Sequence, residues 1–344
     1  MKKRFSAFLA AGTAAVLLFS PCASAAKEEH LPEFNIAVNV PPQVLFIGDS
    51  IISGYGLDKY SPSNKLECDS FANMLSREFE AELPPEAEFR YWNEGLDGRT
   101  SGGLIELLQS GELDDELAEA DAVIISIGGN DMLDTFLDLL DRRNAPMQTV
   151  GKAVTLGQKL DRDLDGFAKN MPVIAKELND RTDGKIFVQT LYNPMESTAV
   201  QVVNNLSAEK IARLNQIIAD NSGGGKNYTV CDVFSALNGM SRTHTNILKY
   251  DIHPNADGHK LIAETLGKTI RAETYHYYDY AAEKKYKKTH KKELEERRIR
   301  EEQEEKARAR KEDVKKLTVT AAAGTGGLLI MSVLLVRHGE QKGG

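Results

Sequence analysis

Three cysteines in 344 residues are too few to staple a disulfide framework. Eleven prolines and 27 glycines, spread without a period, exclude a collagenous or proline-rich chain. With 41% hydrophobic and 27% charged residues, the sequence is neither disordered nor built of many membrane spans. Positive charge is scarce where it would matter for nucleic acid. Ala26 to Arg271 carries 23 basic and 38 acidic side chains, a net charge of about −15, whereas Ala272 to Lys316 carries 15 and 12, about +3. An acidic body gains nothing from counterion release on a phosphate backbone, so nucleic acid is excluded as its partner. There is no internal repeat. Asp161-Arg162-Asp163-Leu164-Asp165-Gly166 opens like a calcium loop, but the twelfth position, where a bidentate glutamate is required, is Pro172. The stretch reads as an acidic solvated segment, and neither a metal nor a cofactor is expected.

The two ends of the chain are not globular in composition. Lys2, Lys3 and Arg4 precede an apolar run from Phe8 to Phe19, and Ala23-Ser24-Ala25 supplies small residues at a cleavage-site spacing. Residues 1–25 therefore read as a secretory signal peptide, followed by a linker over 26–43. At the other end, Leu317 to Val336 is a run without a charge, long enough at about 1.5 Å per residue to cross a bilayer of roughly 30 Å. Arg337, His338 and Lys342 behind it suit the cytoplasmic side, making 337–344 a tail. Residues 272–316 are dense in Lys, Arg and Glu, with opposite charges three and four apart. They form either a solvated helical stalk of roughly 65 Å or a disordered charged spacer. These features predict a membrane protein with a single span, through a C-terminal helix, and a folded body outside the cell.

Between the ends, short apolar runs alternate with stretches of helical period. Val44 to Ile47, Phe89 to Trp92, Ala122 to Ile127, Ile186 to Leu191 and Tyr228 to Val233 predict five strands. Asp69 to Glu82, Ser101 to Leu108, Phe167 to Leu178 and Ser207 to Asn221 predict helices. Strands separated by helices imply a parallel sheet covered on both faces, a three-layer α/β/α domain over 44–271. The reactive crevice of such a sheet lies at the carboxyl ends of its strands. Leu133 to Asp183, longer than one crossover needs, is a candidate wall or lid beside it.

The residues that follow the strands are the ones with chemistry. After the first comes Gly48-Asp49-Ser50-Ile51, which places a serine at a strand-to-helix junction, its N–H aimed where a carbonyl oxygen would become an oxyanion. Ile52 stands where a Gly-x-Ser-x-Gly elbow has its second glycine, which argues against the α/β-hydrolase arrangement. After the second comes Asn93-Glu94-Gly95-Leu96-Asp97-Gly98-Arg99-Thr100, after the third Gly128-Gly129-Asn130-Asp131, and near the end Asp251-Ile252-His253-Pro254-Asn255. Glycine lets a carbonyl oxygen approach a backbone N–H, asparagine adds a side-chain donor, and histidine takes and returns the serine proton.

In this order the four blocks resemble those of the SGNH (GDSL) hydrolases. The resemblance covers Val44 to about Arg271 and implies a flavodoxin-like α/β/α fold with esterase, lipase, thioesterase or carbohydrate-deacetylase activity and no metal. It implies Ser50 as nucleophile, His253 as base, and the N–H groups of Ser50 and Gly98 with the side chain of Asn130 as the oxyanion hole; Gly95 is the other glycine available. One spacing departs from the pattern. Asp-x-x-His would need an acid at Tyr250, whereas Asp251 lies two before His253. Asp251 is the candidate to orient the imidazole, the alternative being a backbone carbonyl with Asp251 capping the following helix.

The expected activity is hydrolysis of small acyl esters, including O-acetyl groups of polysaccharides. The rival readings are a lipase or lysophospholipase acting on membrane lipids, and a surface binding module that keeps the fold without turnover. His259 reads as a helix residue behind the motif, and Cys68 and Cys231 as thiols whose pairing is open. Tyr275, Tyr277, Tyr278 and Tyr280 read as packing where the stalk meets the body.

Overall fold

The computed structural model describes residues 30–140, 150–198, 200–223 and 227–323. Its strands are β1 (Asn35–Val38), β2 (Gln43–Gly48), β3 (Arg90–Gly95), β4 (Ala122–Ser126), β5 (Lys185–Gln189), β6 (Thr229–Cys231) and β7 (Tyr275–Tyr278). The first helices are α1 (Ser50–Ser53), α2 (Phe71–Glu82), α3 (Ser101–Ser110), α4 (Asp114–Glu119), α5 (Gly129–Leu140) and α6 (Val150–Arg181). They are followed by α7 (Gln201–Asp220), α8 (Val233–Leu237), α9 (Ser241–His244), α10 (Ala256–Ile270), α11 (Tyr280–Thr289) and α12 (Lys291–Ala323).

Strands β2 to β6 form one parallel sheet in the order β3-β2-β4-β5-β6, which is the predicted five-stranded α/β sheet in flavodoxin-like order. Val44, Leu45, Phe46 and Ile47 of β2 and Ala122, Val123, Ile124 and Ile125 of β4 are fully buried, as continuous apolar runs covered on both faces must be. Helices α2 and α10 pack together on one side, and α3, α6 and α7 form the other layer. The strand order reverses between β2 and β4. Connections leave these neighbouring strands in opposite directions there, and the gap between them opens a crevice at their carboxyl ends.

Helix α6 joins what the sequence suggests as two pieces, Val150 to Leu160 and Phe167 to Leu178. Leu156, Leu160, Leu164, Phe167, Met171, Ile174 and Leu178 are all buried, a three- and four-residue stripe that runs through the calcium-loop look-alike without a break. Lys210 and Arg213 of α7 hold Asp161 at 2.8 Å each, and Arg213 holds Asp165 at 2.6 Å, so these acids are ion-paired on a helix face. Cys68 and Cys231 are separate buried thiols.

The body extends beyond the expected 44–271 at both ends. β1, in the expected linker, pairs antiparallel with β7, in the first residues of the expected stalk, from Asn35 opposite Tyr278 to Val38 opposite Tyr275. Tyr275 is buried with its hydroxyl on the Ile270 carbonyl, and the Tyr278 hydroxyl donates to the Leu31 carbonyl, so the tyrosines do pack at this junction. Beyond it the charged segment is helical. Nearly every side chain of α12 that is described is exposed, with pairs such as Arg297 to Glu301 and Arg298 to Glu295 along its surface. No helix among the described residues is long and apolar enough to cross a membrane. The expected signal peptide, residues 324–336 of the expected span and the tail lie outside the described residues.

Phe167 is fully buried and lies against Gly128, two residues before Asn130. Phe167→Ala is expected to cost about 3–5 kcal/mol of stability, read from the urea midpoint, because its cavity opens in the α6 stripe. A midpoint unchanged within about 1 kcal/mol would contradict the packing described.

Candidate active site

The crevice at the reversal of strand order collects every block singled out in the sequence. Ser50 is the first residue of α1, directly after β2, and Asp49 caps that helix by accepting from the Ile51 N–H at 3.0 Å. The Ser50 N–H, at the free start of the helix, has no acceptor among the described residues. Ser50 Oγ lies 2.8 Å from Nε2 of His253, and Nδ1 of His253 lies 2.5 Å from Oδ1 of Asp251. Serine, imidazole and carboxylate thus stand in line.

The departure in spacing has a local cause. Tyr250, where the commoner pattern has its acid, adopts a left-handed conformation with φ +62° and its side chain is exposed. The turn this makes brings Asp251 round so that one carboxylate oxygen accepts from both the backbone N–H and Nδ1 of His253. Helix α10 is capped by Asn255, whose side chain accepts from the Gly258 N–H at 3.0 Å, so Asp251 is not needed as a cap. The loop is pinned from the segment that follows β5. The buried Tyr192 donates its hydroxyl to the Ile252 carbonyl at 2.8 Å, and burial raises that phenol well above its ordinary pKa, so it stays a donor.

On the other side of Ser50 the choice between two glycines is decided by their surroundings. Gly95 gives its N–H to Asn93 Oδ1 at 3.1 Å, and a β-carbon there would sit 2.4 Å from the Ser53 nitrogen. Its task is close packing of β3 on α1. Gly98 has φ +79°, and a β-carbon on it would meet nothing within 4 Å. Its N–H donates to no acceptor among the described residues. The turn that carries it is fixed on several sides. The Leu96 N–H donates to the Gly48 carbonyl at 2.9 Å, Arg99 Nη1 donates to the carbonyls of Gly48 and Glu94, and Asn130 Nδ2 donates to the Arg99 carbonyl at 3.0 Å. This last bond uses one amide hydrogen of Asn130 and orients the other.

Several residues that position the site carry no signal of their own in the sequence. Asp97, next to Gly98, accepts from Ser53 Oγ at 2.6 Å and from the Tyr60 hydroxyl, coupling the glycine turn to the serine helix. Asp131, after Asn130, accepts from the N–H and Oγ of Ser101 and ties α5 to the start of α3. Beneath the nucleophile, Gln189 donates to Ser126 Oγ at 2.7 Å, and that hydroxyl donates to Asp49 at 3.2 Å. His259 is fully buried behind the site with Nδ1 accepting from the Phe71 N–H, and burial lowers its pKa to about 3. It is a neutral core residue, as its sequence position suggests. From Gly98 a groove of about 540 Å³ runs along α3, lined by Leu96 and Leu107 together with Asp97, Thr100, Glu106 and Glu112.

A serine, an imidazole and a carboxylate thus meet in the crevice of a flavodoxin-like sheet. The structure of the lipase Lip_vut3 from a goat rumen metagenome is similar with a TM-score of 0.50 at 17% identity, over 66% of this chain and 96% of that one. The acetylxylan esterase Axe2 of Geobacillus stearothermophilus gives a TM-score of 0.45 at 19% identity, over 67% and 94%. The uncharacterized protein YpmR of Bacillus subtilis is 22% identical over 227 residues, 66% of this chain and 80% of that protein. The sequence model of the GDSL-like lipase/acylhydrolase family matches residues 46–261, and the chain belongs to that family. It is a serine-dependent carboxylic ester hydrolase.

Asp49, buried directly beside the nucleophile, has its pKa pushed up to about 7, chiefly by loss of solvent. Between its ordinary 3.8 and about 7 the folded protein keeps a proton that the unfolded chain has lost, so stability falls as pH rises through this window. Asp49→Asn cannot titrate. The variant's melting temperature relative to wild type is therefore expected to be more favourable at pH 8 than at pH 4.5, and a difference independent of pH would refute the assignment.

Proposed function

We propose that the protein hydrolyses small acyl esters outside the cytoplasm, including O-acetyl groups of polysaccharides, through an acyl-enzyme at Ser50. The single observation that carries this reading is the Asp251–His253–Ser50 line, with its 2.8 Å bond from Oγ to Nε2. Ser50 Oγ attacks the ester carbonyl carbon while His253 Nε2 takes its proton, and Asp251 holds the imidazole in the tautomer that can accept it. The oxyanion that forms is met by the N–H groups of Ser50 and Gly98 and by the free amide hydrogen of Asn130. On collapse the alkoxide leaves with the proton from His253. Water then attacks the acyl-enzyme while His253 takes its proton, and His253 returns that proton to Ser50 Oγ as the bond to the acyl carbon breaks and the carboxylic acid departs.

A lipase working on the membrane that holds it is less well supported by the path of the chain. β1 leads into the amino end of β2, and Glu273 pairs with Lys185 at the amino end of β5. β7, after which the charged helices follow, thus starts at the amino ends of the strands, away from the crevice.

Ser50→Ala is expected to abolish both acetyl ester hydrolysis and labelling by a fluorophosphonate, and Asn130→Ala to slow hydrolysis by about 10² to 10³. On p-nitrophenyl esters of increasing chain length the rate should peak at the short end. Labelling that survives Ser50→Ala, or a maximum at long chains, would reject the respective part of the reading.

The basic, apolar leader and the uncharged run from Leu317 to Val336 support export with a single C-terminal span, and α12 as the spacer between span and body. Protease added to intact cells should then remove the body while a short tail stays protected. Full protection of the body until the cells are lysed would put the enzyme inside.

A further inference from the structure

The proton that His253 returns must reach the leaving oxygen, so the alcohol half of the ester has to lie against the Nε2 side of the imidazole. The large aromatic side chain against that imidazole is Tyr55. Its ring centroid is 4.6 Å from that of His253, with the planes inclined by 46°, and 43% of the residue remains exposed. It is firmly placed. Its backbone N–H donates to the Ser50 carbonyl at 3.1 Å, and its ring meets that of Tyr60 edge-to-face at 5.7 Å. Tyr60 is itself fixed through its hydroxyl to Asp97, and this bond connects the aromatic pair to the groove at Gly98. The next residue, Gly56, packs over Asp251, where a β-carbon would lie only 3.1 Å from the Asp251 Oδ2, so the loop that presents Tyr55 covers the acid and base.

We propose that Tyr55 is the wall of a subsite for the leaving alcohol, and that this subsite takes a pyranose ring whose C–H face packs on the phenol. This rests on the assignment of Ser50 and His253 given above. A half-exposed aromatic side chain packed against the base suits a ring that is apolar on its face and polar round its edge. A fatty alcohol or glycerol presents no such face.

The test measures acetate released by the full-length protein from xylose tetra-acetate and from ethyl acetate, two esters of alkyl alcohols. Tyr55→Ala is expected to lower kcat/KM on the sugar ester about tenfold, mainly through KM, and to lower it on ethyl acetate by much less. Tyr55→Leu, which keeps bulk against His253 but has no flat face, should behave as Tyr55→Ala does, and Tyr55→Phe should stay near wild type. Equal losses on both esters would leave Tyr55 as packing for the imidazole and overturn the proposal, as would no loss on the sugar ester. A folded wild type that cleaves neither ester and is not labelled at Ser50 would remove the underlying reading of the site, whereas a labelled, active wild type without the difference between esters would remove only the sugar subsite.

Discussion

The 2.8 Å bond between Ser50 and His253 joins residues 203 positions apart, and the rest of the site is arranged to hold its two ends. One end is rigid because β2 is buried on both faces and α1 starts directly from it. The other is a loop, which is a poor support unless it is tied down. Tyr192 from the segment after β5, the turn at Tyr250 and the Asn255 cap of α10 supply the ties. A hydroxyl and an imidazole at this separation exchange a proton without any segment having to move, so the reacting geometry is built in before a substrate arrives.

The cost of this arrangement lies in the polar groups placed beneath it. Asp49 and Asp131 are carboxyls held away from water and pushed upward in pKa, each partly compensated by hydrogen bonds from serine hydroxyls and backbone N–H groups. His259 lies fully buried and neutral close behind. Groups of this kind weaken a core. Here they fix the start of α1 and of α3 at the crevice, so stability is given up where two helices must begin in register with two strand ends.

Much of this is legible in the sequence, and the reasons are physical. The five strands read clearly because a sheet covered on both faces demands unbroken apolar runs, and the chemical residues read clearly because each follows one of those runs. α6 is legible only as fragments, since Asp161 to Gly166 looks like a break until Lys210 and Arg213 of another helix are seen to pair its acids. The choice of Gly98 over Gly95 needs the structure, because it turns on where an N–H is already spent. Asp97 and Tyr60 are illegible for a similar reason: their bond crosses 37 positions and follows no periodic pattern. β1 and β7 escape a reading of the sequence because each is a short strand whose only partner among the described residues lies at the far end of the chain.

That last pairing has a mechanical consequence. Both ends of the body run through one two-stranded ribbon, and α11 and then the solvated α12 follow it. A pull or a sideways swing of the stalk is met first by the β1 and β7 ladder and by the seat of Tyr275. The five-stranded sheet lies between that seat and the serine, which shields the reacting groups from drag on the stalk.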